Sequence, residues 1–212
     1  MPRIVLASQS PSRLAILRSA GVEPVVRPAH VDERAIEAAH TDPRETVQAL
    51  AVAKAAAISP DFPDDVVIGC DSLLLIDGHL QGKPHTPEAT VDRWHQQAGR
   101  SAELLTGHCI TFRGESFVDT GATRIDFAAA SDNDIEAYTR TGEPLECAGA
   151  FTLEALGGWF IDRIEGDPSS VIGLSLPLVR RALYSFGLDV SDFWGRDAGG
   201  ADAGIDRRDA LF

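Results

Sequence analysis

The sequence predicts an α/β fold built on a mixed sheet. Three observations carry this. Strand-like and helix-like segments alternate through the N-terminal part, as parallel strands joined by crossover helices require. Two long strand-like runs, 102–112 and 116–128, meet across Arg113-Gly114-Glu115, which predicts an antiparallel hairpin. No stretch approaches the ~20 apolar residues of a membrane helix, so the 44% of hydrophobic residues in this chain of 212 are free to build a core.

Residues 3–7 read as the first strand. Residues 11–20 read as a helix: Ser10 caps it, Pro11 takes the first helical position, where a missing N–H costs nothing, and Gly21 stops it. Residues 23–27 suit a short strand. The clearest helix is 43–58, with Asp42 as N-cap, Pro43 at its start and a run of alanines; Ser59-Pro60-Asp61-Phe62-Pro63 breaks it. Residues 66–70 and 73–76 read as two strands, with Asp77-Gly78 a tight turn before His79. A helix over 87–97 closes at Gly99, and Ser131 followed by Asp134 caps a helix over 131–140. A strand over 159–164 and a helix over 176–186, stopped by Gly187, complete a single domain over 1–194. After Trp194 the chain is rich in Gly, Ala and Asp with little to bury, so 195–212 is expected to be a disordered tail.

The net charge of −13 argues against a nucleic acid polymer as partner, since long-range attraction to phosphate backbones needs surplus Lys and Arg. A small anion remains compatible, because a few cations can converge locally. The N-terminus carries one charge, Arg3, and an apolar run too short for a signal peptide, so a cytoplasmic protein without membrane attachment is expected. Cys70, Cys109 and Cys147 fit reduced thiols in apolar segments. The six histidines lack metalloprotease spacing, and Gly173-Leu174-Ser175-Leu176-Pro177 lacks the second glycine of a nucleophile elbow. His108 suits a hydrogen-bonded core position, and Trp94, Trp159 and Trp194 suit packing.

Four features carry chemistry. A strand running into the helix start at Ser10-Pro11 presents free backbone N–H groups and the positive helix end, which favour an anion. Ser8 and Ser10 add hydroxyls there, and Arg13 adds a planar fork suited to phosphate. Asp71 interrupts the apolar run VVIGCDSLLLID, where a carboxylate is costly unless paired or metal-bound. Lys54 falls within the apolar stripe of its helix, seven residues from Val47 and four from Ile58, so its ammonium must snorkel or meet an anion. Lys83 projects from Gly82-Lys83-Pro84. Arg13, Lys54, Lys83 and Asp71 together suit a polyphosphate with a divalent metal. Glu33, beside Asp32 ahead of a helix, reads from composition as solvated.

In order along the chain, LASQSPSRLAILRSAG (6–21), HVDE (30–33), AVAKA (51–55), IGCDSLLLIDGHLQGKP (68–84), LLTGHCITF (104–112), IEAYTRTGEPLECAGAFTLEALGG (135–158) and IEGDPSSVIGLSLPLV (164–179) resemble the Maf proteins. These are nucleoside triphosphate pyrophosphatases first associated with septum formation. The resemblance implies a two-lobed fold like that of inosine triphosphate pyrophosphatases (Maf/Ham1-like), a cleft between the lobes, and often a homodimer. It implies hydrolysis of a nucleoside triphosphate to monophosphate and pyrophosphate, aided by Mg²⁺ or Mn²⁺.

Carried onto this chain, the family's catalytic acid falls on Asp71 and its Ser-x-Ser-Pro loop on Ser8, Ser10 and Pro11. The second arginine of its usual pair falls on Arg13, its lysines on Lys54 and Lys83, and its early acid on Glu33, which the resemblance assigns to the metal with Asp71. Three positions depart from a common pattern. Ser12 replaces the first arginine. Ser72 stands where thymidine- or uridine-triphosphate members often have Thr, and Glu154 where they have Gln. Glu at 154 is closer to the 7-methylguanosine triphosphate branch, which has Gln where Ser72 stands. The base therefore stays open. Two other readings use the same cations: a non-enzymatic nucleotide-binding regulator of cell division, and a phosphoesterase acting on another metabolite.

If the tail is dispensable, truncation after Trp194 leaves turnover unchanged in an activity assay.

Overall fold

A computed structural model describes residues 1–195 as a mixed α/β fold with helices flanking one seven-stranded sheet. Strand β1 (Ile4–Leu6) runs into α1 (Pro11–Ser19), β2 (Val25–Val26), α2 (Glu33–Ala39) and α3 (Pro43–Ile58). Next come β3 (Val66–Ile76), β4 (His79–Gln81), α4 (Pro87–Gln97), the hairpin β5 (Ser101–Phe112) and β6 (Glu115–Phe127), and α5 (Asp132–Arg140). Strand β7 (Ile161–Glu165), α6 (Pro168–Ile172) and α7 (Leu176–Ser185) follow. The order across the sheet is β2-β1-β3-β5-β6-β7, with β4 also on β3. β1 pairs parallel with β2 and β3; the other pairings are antiparallel. No helix among the described residues is long and apolar enough to cross a membrane.

The helix starts follow the sequence. The side chains of Ser10, Asp42 and Ser131 each accept from the first turn of their helices, and Pro11 and Pro43 lie at the start. Asp77 and Gly78 take the left-handed conformation that a tight hairpin turn demands, as do Arg113 and Gly114.

Residues 66–76 are one continuous strand, not the two expected. Asp71 pairs with Gly107 and Ser72 with Thr106, so an unbroken ladder with β5 carries β3 through its polar centre. Its other edge is different. β1 covers only Val66–Ile68, and β4 covers only Leu74–Ile76. The stretch between, with Asp71 and Ser72, lies at a notch in the sheet.

Alternation sends Ile68, Cys70, Leu74 and Ile76 to one face of β3. There they split between two apolar clusters. One gathers Leu6, Leu17, Ile110 and Leu183 under α1 and α7; the other gathers Trp94, Ile125, Ile135 and Tyr138 under α4 and α5. The fully buried Trp94 meets Phe127, Tyr138 and Phe160 edge-on at 5.7, 5.7 and 5.5 Å and donates to the Ala150 carbonyl at 2.8 Å.

On the opposite face α3 lies directly on the sheet. A Cβ on Gly107 would stand 2.1 Å from the Val47 carbonyl oxygen, and one on Gly69 would stand 2.3 Å from that of Ala51. Only the bare backbone at both positions permits this approach.

Two tryptophans depart from expectation. Trp159 is 84% exposed, because residues 156–160 form a 3₁₀ turn that projects it outward before β7 begins. Trp194 is half-exposed beside Gly21. Of the expected tail, Gly195 donates its N–H to the Gly21 carbonyl; residues 196–212 lie outside the described residues. The three cysteines are free.

Gly107→Ala meets backbone rather than a flexible side chain, so it is expected to lower unfolding free energy by ~3 kcal/mol, measured by urea denaturation.

Candidate functional site

The notch opens into a cleft of about 630 Å³. Ser8, Ser10, Arg13, Glu33, Lys54, Asp71, Ser72, Lys83 and Glu154, all singled out from the sequence, line it.

Lys54 reaches it from α3. Its stem is buried in the helix's apolar stripe, and its Nζ lies 2.5 Å from Asp71 Oδ1 and 2.8 Å from Glu33 Oε1. Lys54 and Asp71 side chains are 10% and 14% exposed, so neither charge is well hydrated and each compensates the other. Glu33 opens α2, whose N-cap Asp32 accepts from the Ala35 N–H. The Glu33 side chain stays 51% exposed, as composition suggested, while its carboxylate also pairs with Lys54. Asp71 Oδ2 has no protein hydrogen-bond partner among the described residues.

Arg13, on the first turns of α1, is buried. Its Nε donates to the Gly173 carbonyl at 2.8 Å, and its Nη atoms donate to Ser8 Oγ and Ser72 Oγ, both at 3.2 Å. Ser8 Oγ also accepts the Ser10 N–H. Ser72 Oγ lies 3.0 Å from Thr106 Oγ1, whose own proton goes to the Ser170 carbonyl. The Thr106 hydroxyl is thus spent as a donor, so Ser72 donates to it and accepts from Arg13. A directed chain runs from the guanidinium across Ser72 and Thr106 to α6 on one face of the sheet.

Lys83 and Glu154 are less constrained. Lys83 Nζ is 3.7 Å from Glu146 Oε2, and both side chains are exposed. Glu154 Oε2 accepts the N–H of its neighbour Leu153 at 3.1 Å. Glu143, Glu146 and Cys147 line the same wall. Burial pushes the Cys147 thiol up to about 11, as it does for Cys70 and Cys109, which leaves all three as poor nucleophiles.

Sequence reasoning missed four contributors. Thr106 orients Ser72. Glu143 gathers hydrogen bonds from the loop that carries Glu154. Glu37, one turn beyond Glu33, has its carboxyl held above the ordinary range by partial burial and by the charges of Asp71 and Glu33. Gly173 supplies the carbonyl that fixes Arg13, and a Cβ there would stand 3.3 Å from the guanidinium. Thr106, Glu143 and Gly173 lie in segments that carry the resemblance, and Gly173 also in the rejected elbow-like motif, but sequence reasoning gives none of the four a role.

His108 behaves as the core residue expected. Nε2 accepts the Ser175 N–H at 2.8 Å, so Nδ1 carries the proton and donates to the Thr106 carbonyl at 2.9 Å. Burial, aided by the Arg13 charge, pushes it down to about 4. It ties the start of α7 to β5, just past Gly173.

A family model described as "Maf-like protein" matches residues 3–186. A protein of Corynebacterium aurimucosum named nucleoside triphosphate pyrophosphatase is 75% identical over 194 residues, covering 91% of this chain and 98% of that one. Proteins of the same name from Corynebacterium efficiens and Nocardia farcinica are 71% and 56% identical, covering 91% and 90% of this chain and 98% and 96% of theirs. A solved structure of a HAM1 protein from Coxiella burnetii is similar at a TM-score of 0.39 and 18% identity, over 61% of this chain and 75% of that one. That likeness is too loose to carry an argument.

His108 stays neutral in the folded protein while the unfolded chain takes up a proton near the ordinary value of 6.5. Its contribution is therefore present above pH 6.5 and lost as pH falls from there towards 4. In urea titrations, the stability gap between wild type and His108→Gln is expected to narrow across that window.

Proposed function

We propose that this chain, which belongs to the Maf-like family, is a nucleoside triphosphate pyrophosphatase that releases pyrophosphate and leaves a monophosphate. The observation that carries the reading is Asp71 set on Lys54 at the notch, beside the Ser8–Ser10 turn and Arg13.

The triphosphate lies against the N-terminus of α1, where backbone N–H groups and the Ser8 and Ser10 hydroxyls meet its oxygens. Arg13 offers its fork from a position fixed by Gly173 and Ser72, and Lys54 and Lys83 supply point charges. Holding the chain at several oxygens leaves the α-phosphorus in one orientation to an attacking water. Asp71 orients that water or accepts its proton as the water oxygen bonds to the α-phosphorus. The bond to the bridging oxygen breaks, and pyrophosphate departs with the electron pair.

The cleft's charge argues for a metal. Five carboxylates line it, those of Glu33, Asp71, Glu143, Glu146 and Glu154, against three cations. A bare triphosphate would meet net repulsion. Among the described residues no group of three or more His, Cys, Asp or Glu side chains is arranged to hold an ion unaided. Asp71 and Glu33 are the residues that would hold Mg²⁺ or Mn²⁺, hard cations that favour carboxylate oxygens. An ion held there supplies neutralisation of charge on the phosphates.

Purified protein is incubated with a panel of nucleoside triphosphates, including 7-methylguanosine triphosphate, with Mg²⁺, Mn²⁺ or EDTA. Pyrophosphate is expected from at least one nucleotide and none in EDTA. Asp71→Asn is expected to fold and to lower kcat by ~10²–10⁴-fold. Orthophosphate alone identifies a phosphoesterase. The absence of product from every nucleotide, with binding retained, identifies a regulator.

A further inference from the structure

We propose that Glu143 is a positioning residue: its carboxylate fixes residues 152–157, the wall of the cleft that carries Glu154, and so sets which base the cleft admits. This rests on the nucleotide reading above.

The carboxylate is a hub. Oε1 accepts from the Thr152 hydroxyl at 2.5 Å, the Tyr138 hydroxyl at 3.0 Å and the Gly157 N–H at 3.0 Å. Oε2 accepts the Leu156 N–H at 3.3 Å. Four donors thus converge on one carboxylate, three of them crowding Oε1 and one on Oε2. Tyr138 closes the ring by accepting the Thr152 N–H at 3.2 Å. The hydrogen bonds that tie 152–157 to earlier residues end on these two side chains. Tyr138 is itself buried, edge-on to Trp94, so the hub is anchored in the core under α4 and α5.

Packing around the hub is equally tight. A Cβ on Gly157 would stand 2.5 Å from both the Tyr138 hydroxyl and the Thr152 carbonyl oxygen. The wall is therefore held in one place by side-chain acceptors and by a backbone approach only glycine permits.

Its chemistry suits a base rather than phosphate. Thr152, Glu154 and Ala155 line the cleft and bring no cation, and the exposed Glu154 carboxylate is an acceptor for base N–H groups. A small displacement of this wall would change which donors Glu154 reaches, leaving Arg13, Lys54 and Asp71 in place.

Glu143→Gln separates this role from general structure. It keeps the shape but turns one acceptor into a donor, and in either flip the amide N–H₂ faces an N–H or O–H. Deuterium exchange at Leu156 and Gly157 is expected to quicken while β5 amides keep their protection. KM for the preferred nucleotide is expected to rise ~10-fold, and its kcat/KM advantage over the next nucleotide to shrink ~5-fold, with kcat within ~3-fold of wild type. Tyr138→Phe, which spares the charge, is expected to shift KM and selectivity the same way by a smaller factor. It stands in if Glu143→Gln fails to fold.

Unchanged exchange at 156–157, or a uniform loss of kcat with selectivity intact, overturns the proposal. If wild type releases no pyrophosphate, the pyrophosphatase reading fails alone. Exchange, together with binding of α,β-methylene analogues of the same panel, then decides for or against Glu143.

Discussion

The contact of α3 with the sheet over Gly69 and Gly107 is the constraint on which the rest depends. With side chains at those two positions the helix would stand off the sheet. Lys54 would then withdraw from Asp71, and a part-buried carboxylate would lose its counter-charge. Removing one partner from such a pair costs ~3–5 kcal/mol, far more than an exposed pair contributes. The geometry of two hydrogen atoms thus governs the electrostatics of the cleft.

The second determinant is an omission. β1 ends and β4 begins without meeting along the edge of β3. A complete ladder would bury the centre of β3 from both sides. The gap instead admits solvent, the turn after β1 and the start of α1 to the one segment of β3 that carries polar side chains. The two apolar clusters flank the same segment, which leaves Ser72 and Thr106 as the polar seam between them.

Much of this was legible in sequence because it is local or periodic. Ser-Pro and Asp-Pro starts gave helix positions through capping chemistry. The 3.6-residue period placed Lys54 on the buried side of α3, and Asp71 stood out against its apolar neighbours. The structure brings the chosen residues into one cleft. What failed depended on distant partners. Asp71-Ser72 looked like a break, because the pairing that keeps the strand straight lies on β5. Glu143 drew no reading of its own from sequence, because its donors come from Thr152, Leu156 and Gly157 across an irregular loop. Thr106 needed Ser170, sixty-four residues on, to acquire a direction. α6 escaped notice because five residues carry too little periodicity to register. Trp159 misled because size suggests burial, whereas the path of a 3₁₀ turn decides it.

Asp71 and Ser72 are neighbours on a pleated strand, so they emerge on opposite sides of it. The acid meets Lys54 and Glu33 on one side; the hydroxyl meets Arg13 and Thr106 on the other. Gaining or losing one residue between Val66 and Asp71 would exchange the two sides, handing the hydroxyl to the lysine and the acid to the buried seam. Length changes should thus be purged from this strand while surface loops drift freely, making its reading frame as much an inherited part of the chemistry as the side chains themselves.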